Sequence, residues 1–228
     1  MISRRAKAFF YAAAGPAMRI NGALYRIFRA PKSGTVKVQL GPGREHYLHG
    51  WINLDANILT KNCDVWVDFR NKLPFREGSV DAFYSHHVIE HLPDDRLSFH
   101  FGEIFRCLKP GGVFRIGGPN ADSALKKFGE GDRDWFGDFP DKRESLGGRF
   151  SNFILCRGEH LAILTFSWLN EIVREAGFDS LRRCQPVSET NFPRFFDEAV
   201  LQNEWESTPE TPHTLIVEGQ KPFAQERQ

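Results

Sequence analysis

Acidic residues are missing from the first 44 positions of this 228-residue chain, and no apolar run approaches the ~20 residues that a membrane-spanning helix needs. The second absence leaves no candidate spanning helix. The first is local: residues 1–44 carry nine of the 30 Lys and Arg and none of the 29 Asp and Glu, so the net charge of +1 hides a basic front end and an acidic remainder. Cysteine is scarce. Cys63, Cys107, Cys156 and Cys184 form no Cys-x-x-Cys pair, which argues against a disulfide framework or a zinc ribbon and favours a reducing, cytoplasmic setting. Glycine and proline usage is ordinary and 41% of residues are apolar, so a full core in one α/β domain is expected, without disorder or fibrous repeats.

A third absence concerns phosphate. Val36, Val38 and Leu40 alternate with polar residues as a strand does, and the chain then breaks at Gly41-Pro-Gly43, where the missing Cβ lets backbone approach a ligand. A dinucleotide fingerprint would place a third glycine where His46 stands and an acid roughly 20 residues further on. Instead Asp55 closes the next strand, Trp51–Asp55, after a link too short to present a good helix N-terminus to a pyrophosphate. A carboxylate ending a second strand suits a ribose diol. A ribose-bearing ligand without phosphate fits best, and S-adenosylmethionine is one. A plain tight turn explains the two glycines equally well.

The signals that follow come in a definite order. Cys63–Asp68 reads as a third strand ending in a second acid, followed by Leu73-Pro-Phe75 and Gly78-Ser-Val-Asp81. A fourth strand, Ala82–Tyr84, runs into Ser85-His-His-Val-Ile-Glu-His91. A helix from about Asp95 to Leu108, punctuated by Lys109-Pro-Gly-Gly112, leads to a fifth strand, Val113–Ile116. With its glycine loop, its two strand-end acids, Glu90-His-Leu92 and Leu108-Lys-Pro-Gly-Gly112, the chain resembles the class I S-adenosylmethionine-dependent methyltransferases over roughly Val36 to Phe178. The resemblance implies an α/β Rossmann-like fold: a doubly wound seven-stranded sheet, mostly parallel, with an antiparallel C-terminal hairpin near Leu181–Val187 and His213–Val217. It also implies an enzyme. Carried onto this chain, Gly41 and Gly43 would contact the amino-acid part of the cofactor, Asp55 the ribose, and Asp68 with Phe69 the adenine, with Ser85 also at the cofactor. The departure is the link between strands one and two, where most members have a full helix.

Around that domain (residues 35–222) an arm at 1–34, a lid or acceptor insertion at 128–165 and a tail at 223–228 are expected. Ile20, Leu24, Ile27 and Phe28 share a helical face offset from Arg19, Arg26 and Arg29, so Ala17–Arg29 reads as a basic amphipathic helix separated by Gly15-Pro16 from an apolar piece, Ala8–Ala14. It either packs over the cofactor cleft or lies on an anionic membrane, and a targeting peptide is a further alternative. Nucleic acid is not expected as a partner, because the positive charge is confined to the arm. Asn120 is expected to face the cleft. The glycine- and charge-rich stretch 128–148, with Trp135, Phe136 and Phe139, reads as an aromatic lid or as a solvated loop, and the purpose of 192–210 is not legible.

Methyl transfer to oxygen or nitrogen of a small-molecule, glycan or lipid-linked acceptor calls for proton removal, for which His86, His87 and His160 are the candidates; His91 reads as bonded within the fold. Two rivals come from the same residues. His87-Val-Ile-Glu-His91 matches the His-x-x-Glu-His pattern of a zinc hydrolase, although no metal site is expected. The short glycine-loop link would also suit a binding protein that keeps the fold without turnover.

Overall fold

The computed structural model describes residues 4–57 and 62–223, with the side chains of residues 4–7 left out. The tail 224–228 and the Arg4, Arg5 and Lys7 side chains of the basic arm lie outside that description. Seven strands, β1 (Lys37–Leu40), β2 (Ile52–Asp55), β3 (Val65–Trp66), β4 (Val80–His86), β5 (Leu108–Pro119), β6 (Leu181–Cys184) and β7 (Thr214–Gln220), form one sheet in the order β3-β2-β1-β4-β5-β7-β6. Neighbours β3 to β5 pair in parallel, while β7 runs antiparallel to both β5 and β6. The chain reverses between β1 and β4, which opens a crevice at their carboxyl ends.

Alternation along the central strands sends residues to opposite faces. One face carries Val38, Leu40, Phe83, Phe114 and Ile116, buried against Leu97, Phe101 and Ile104 of α2 (Asp94–Cys107) and Leu169, Ile172 and Val173 of α5 (Phe166–Glu175). Edge-to-face rings, Phe114 on Phe178 at 4.9 Å and Phe105 on Phe178 at 5.0 Å, fill the centre. Lys109-Pro-Gly-Gly112 does not stop the chain before a strand, as its composition suggests. It lies inside β5, where Val80 pairs with Leu108 but Ala82 with Val113, so the turn residues are absorbed as a bulge.

The opposite face shows the consequence of the short β1–β2 link, which forms no helix. It is a loop tied to the sheet by side-chain amides: Gln39 Nε2 donates to the His46 carbonyl (2.7 Å), and Asn53 Nδ2 donates to the Leu48 and Trp51 carbonyls (3.1 and 2.9 Å). The sheet surface is covered instead by the segment between β6 and β7. Phe196, and Val200 on α6 (Glu198–Leu201), pack with Leu48, Trp51, Ala82, Tyr84 and Val113, and the Trp51 and Phe196 rings stack at 6.3 Å. This is the role of the 192–210 insertion.

Arg115, fully buried on that face of β5, anchors the insertion. Its guanidinium donates to both Glu204 carboxylate oxygens (2.6 and 2.7 Å), to Glu218 Oε1 (2.6 Å) and to the Glu189 carbonyl (2.8 Å). Glu218 also accepts from Thr190 Oγ1 and the Asn191 backbone. Burial opposes its charge, but these donors and Arg115 hold its carboxyl below the usual range.

At the front, α1 (Arg4–Leu24) passes through Gly15-Pro16 without a break and ends in a π turn, Tyr25–Arg29. The sequence suggests two pieces; a residue before proline resists helix chiefly through its Cβ and N–H, and Gly15 has no Cβ. The helix seats Met18 and Gly22 on the domain, with the built Cβ of Gly22 3.4 Å from Val67 and Asn21 Nδ2 donating to the Trp66 carbonyl (2.9 Å). Ile20, Leu24, Ile27 and Phe28, read as its apolar face, point outward and are 50–75% exposed.

Replacing Arg115 with Met would leave two buried carboxylates without their cation. Chemical denaturation should show a loss of about 3–5 kcal/mol, and an unchanged midpoint would mean that the triad does not hold the insertion.

Candidate functional site

The loop after β1 turns through positive φ at Gly41 (+68°) and Gly43 (+59°), each for its own reason. A Cβ on Gly41 would lie 2.4 Å from Val88 Cγ2, so this glycine lets the loop press on the segment that follows β4, whereas a Cβ on Gly43 would meet nothing within 4 Å. At Gly43 the backbone angle alone calls for glycine. The turn aims its amides back at the sheet: Gly41 N donates to the Leu54 carbonyl (2.8 Å) and Gly43 N to Asp55 Oδ2 (3.2 Å). Asp55 Oδ1 accepts from Asn57 N at 2.8 Å. Burial raises the Asp55 pKa, and these amides act against that rise. A carboxylate has about four acceptor positions, so Asp55 keeps acceptor capacity for the two hydroxyls of a ribose.

Asp68 is more deeply buried and already engaged. Arg70 grips it through Nε (2.9 Å) and Nη2 (2.8 Å) and stacks its guanidinium 3.8 Å from the centre of the Tyr11 ring on α1. Burial raises the Tyr11 pKa, and the charges of Asp68 and Asp55 add to it. Both strand-end carboxylates therefore bear on one phenol, with α1 packed beside them. Phe69 is buried next to them, its ring 6.4 Å from that of His100. Tyr11 and Arg70 were not foreseen; only the position of Tyr11 on the inward side of α1 hints at it. Ser85, expected at the cofactor, is enclosed within β4, and its hydroxyl is buried without a hydrogen-bond partner.

On the other side of Val88, the histidines gather around Glu90, whose side chain is 1% exposed. His87, at a positive φ of 54°, places Nδ1 3.0 Å from Glu90 Oε1 and Nε2 3.4 Å from Thr214 Oγ1. Burial alone would raise the Glu90 pKa, but the His87 hydrogen bond and the imidazoles of His87 and His91 beside it bring it below the ordinary value. An ionised Glu90 only accepts, so His87 Nδ1 donates and Nε2 keeps a lone pair. His86 differs. It is half-buried, with Nε2 enclosed and unpartnered, and burial pushes its pKa well below the imidazole value, so it is a poor base. His160 is brought in because Leu161 N and Ala162 N donate to the Glu90 carbonyl (2.6 and 3.2 Å), and its ring lies 5.3 Å from that of His91. Burial also lowers the His160 pKa. A Cβ on Gly118 would lie 2.5 Å from Leu164 Cδ1 and 3.3 Å from Glu90 Oε2, so glycine there makes room for this carboxylate.

Sequence reasoning singled out His86, His87 and His160. It missed Glu90 as the hub of His87, His91 and His160, although the residue stands in both motifs that were read. The zinc-hydrolase pattern is not set out on a helix: Ile89–His91 is a single 3₁₀ turn, and His87 precedes it in irregular backbone. Asn120 is 1% exposed. It caps α3 (Ala121–Gly129) by accepting from Ser123 N (3.1 Å) and donates to the Pro212 carbonyl (3.0 Å). The 128–148 stretch is not simply a solvated loop. Trp135 and Phe136 are buried against Ala121, Ala124 and Ile154, the last on α4 (Leu146–Leu155), and Trp135 stacks on His213 at 4.1 Å.

Residues 56–116 match a family model described as a methyltransferase domain. A Mycolicibacterium smegmatis protein named as a probable S-adenosylmethionine-dependent methyltransferase is 43% identical over 58 residues, a stretch covering 24% of this chain and 22% of the relative. Among solved structures, a SAM-dependent methyltransferase from Archaeoglobus fulgidus superposes with a TM-score of 0.50 at 16% identity, covering 92% of this chain and 99% of that one. A Haloferax volcanii protein solved in complex with the Trm112 methyltransferase activator gives 0.50 at 16% identity, with 93% of each chain covered. The fold is that of the class I S-adenosylmethionine-dependent methyltransferases.

Proposed function

We propose that the protein transfers a methyl group from S-adenosylmethionine to an oxygen or nitrogen of an acceptor presented at a membrane surface, a lipid-linked or glycan-type molecule. The observation that carries the cofactor assignment is Asp55, held at the end of β2 by the Gly43 amide with acceptor capacity to spare. Asp55 takes the ribose, the glycine loop lies beside the amino-acid part, and Phe69 with the Asp68–Arg70 pair borders the base. When bound, the cofactor supplies a methyl group on a positively charged sulfur, which keeps the C–S electron pair as S-adenosylhomocysteine departs.

This chain's part is to position the acceptor and move its proton. His87, oriented through Nδ1 by the buried Glu90, presents Nε2 as the group that takes the proton lost by the acceptor atom as that atom bonds to the methyl carbon. Positioning supplies much of the remaining acceleration.

The membrane part rests on α1. Phe9, Ile20 and Leu24 lie on one side of the helix at 3.6 residues per turn, opposite buried Met18 and Gly22, and are 50–76% exposed; Ile27 and Phe28 in the π turn, 53% and 75% exposed, extend the apolar surface. Arg19, Arg26 and Arg29 flank it within a region free of acids. An apolar stripe edged with cations matches an anionic bilayer, which attracts each basic residue by about 1 kcal/mol. No helix among the described residues is long and apolar enough to cross a membrane.

Three measurements test this reading. In calorimetric titration with S-adenosylmethionine, Asp55→Ala should lose two charge-assisted hydrogen bonds, about 2–4 kcal/mol in all; full affinity in the variant would remove the ribose from Asp55. With radiolabelled cofactor and an extracted lipid-linked glycan pool as acceptor, His87→Ala should lower kcat by about 10²–10⁴ with little change in cofactor affinity. Co-sedimentation with vesicles containing phosphatidylserine should be strong for the wild type and absent for Leu24→Glu with Ile27→Glu. Equal binding of this double variant would exclude the stripe as the membrane face.

A further inference from the structure

Around Glu90 there is more than a proton relay needs. One ligand atom each from Glu90, His91 and His160 lies within 4.8 Å of the other two. Both imidazoles are held in one tautomer: His91 Nδ1 lies 3.0 Å from the Glu159 carbonyl and His160 Nδ1 3.0 Å from the Ile154 carbonyl. A carbonyl only accepts, so each Nδ1 carries the proton and each Nε2 a lone pair. Backbone carbonyls holding the far nitrogen of a histidine are the outer-shell arrangement found around metal ligands. His91 Nε2 and Glu90 Oε1 stand 4.0 Å apart, too far for a hydrogen bond, and Glu90 Oε2 is buried with no hydrogen-bond partner at all. Two lone pairs and a carboxylate thus converge without satisfying one another.

We propose that Glu90, His91 and His160 bind a divalent first-row transition cation of the zinc class, with His87 beside it. Two imidazoles and a carboxylate form a three-ligand set that leaves a coordination position open. Zinc–ligand bonds near 2.0–2.2 Å imply ligand separations of about 3.3–3.6 Å in a tetrahedron, so the set must close by roughly an ångström. The His91 side chain, 43% exposed, has room to make that movement and leaves a path for the ion. On the methyl-transfer reading, the open position would take the acceptor oxygen and ease loss of its proton to His87 Nε2. Binding of the ion itself does not depend on that reading.

The test is a titration of the full-length, chelator-stripped protein with Zn²⁺, and with Co²⁺ as a spectroscopic probe, in the absence of S-adenosylmethionine. One equivalent should bind, and Co²⁺ should develop visible ligand-field absorption. His91→Ala and His160→Ala, both at sites that are not fully buried, should each weaken binding by at least about 10–100-fold and change the Co²⁺ spectrum, with circular dichroism confirming that they fold. Failure of the wild type to bind one equivalent, or wild-type affinity and spectrum in either folded variant, overturns the proposal. Because no cofactor is present, a negative result leaves methyl transfer untouched, and loss of methyl transfer in His87→Ala says nothing about the ion.

Discussion

The buried guanidinium of Arg115 replaces, with charge, what an ordinary α/β sheet achieves with a helix. Between β1 and β2 the chain has room only for a loop, which would leave Ala82, Tyr84 and Val113 exposed on one face. The segment between β6 and β7 covers that face, but its helix α6 is only four residues long, and the segment fully buries only Phe196 and Val200 there, with Phe192 and Phe195 partly buried beside them. Arg115 ties it down by joining Glu204 of the insertion to Glu218 of β7. Burying three ionised groups is costly, and the arrangement holds because nearly every donor and acceptor in it is matched by a second partner from the backbone or a side chain.

The same economy of helices shapes the site. With no helix after the glycine loop, the loop is positioned by Val88 on one side and by Asp55 on the other. Val88 stands between His87 and the Glu90 turn, so the glycine loop and the histidine cluster lean on one stretch of backbone. Glu90 is to the histidines what Arg115 is to the insertion: a buried charge that joins a neighbour, His87 three residues before it, to a distant segment, the amides that follow His160, through its carbonyl.

Much of this was legible beforehand where the chemistry is local. Strand alternation around Val38 and Leu40, the glycines at 41 and 43 and the acids at strand ends all act through their immediate neighbours, and the sheet with its antiparallel end followed from their order. Lys109-Pro-Gly-Gly112 misled because a bulge and a turn share the same residues. Gly15-Pro16 misled because a missing Cβ eases the very clash that makes a proline break a helix. Ile20, Leu24, Ile27 and Phe28 left a choice open: periodicity reveals an apolar stripe but not whether it meets the core or faces outward.

The amino-acid sequence by itself determined the strand order signals, the glycine turn, the acid that ends β2 and the unequal distribution of charge, because each depends on backbone conformation or on residues a few positions apart. Only the tertiary structure decided that Glu90 gathers His87, His91 and His160, that Arg70 and Tyr11 enclose Asp68, that Ser85 is shut inside the sheet, and that residues 192–210 stand in for a missing helix. These are meetings of side chains up to about a hundred positions apart, such as Arg115 with Glu218. Their occurrence is set by which surfaces must be buried together, a property of the packed chain that no local pattern encodes.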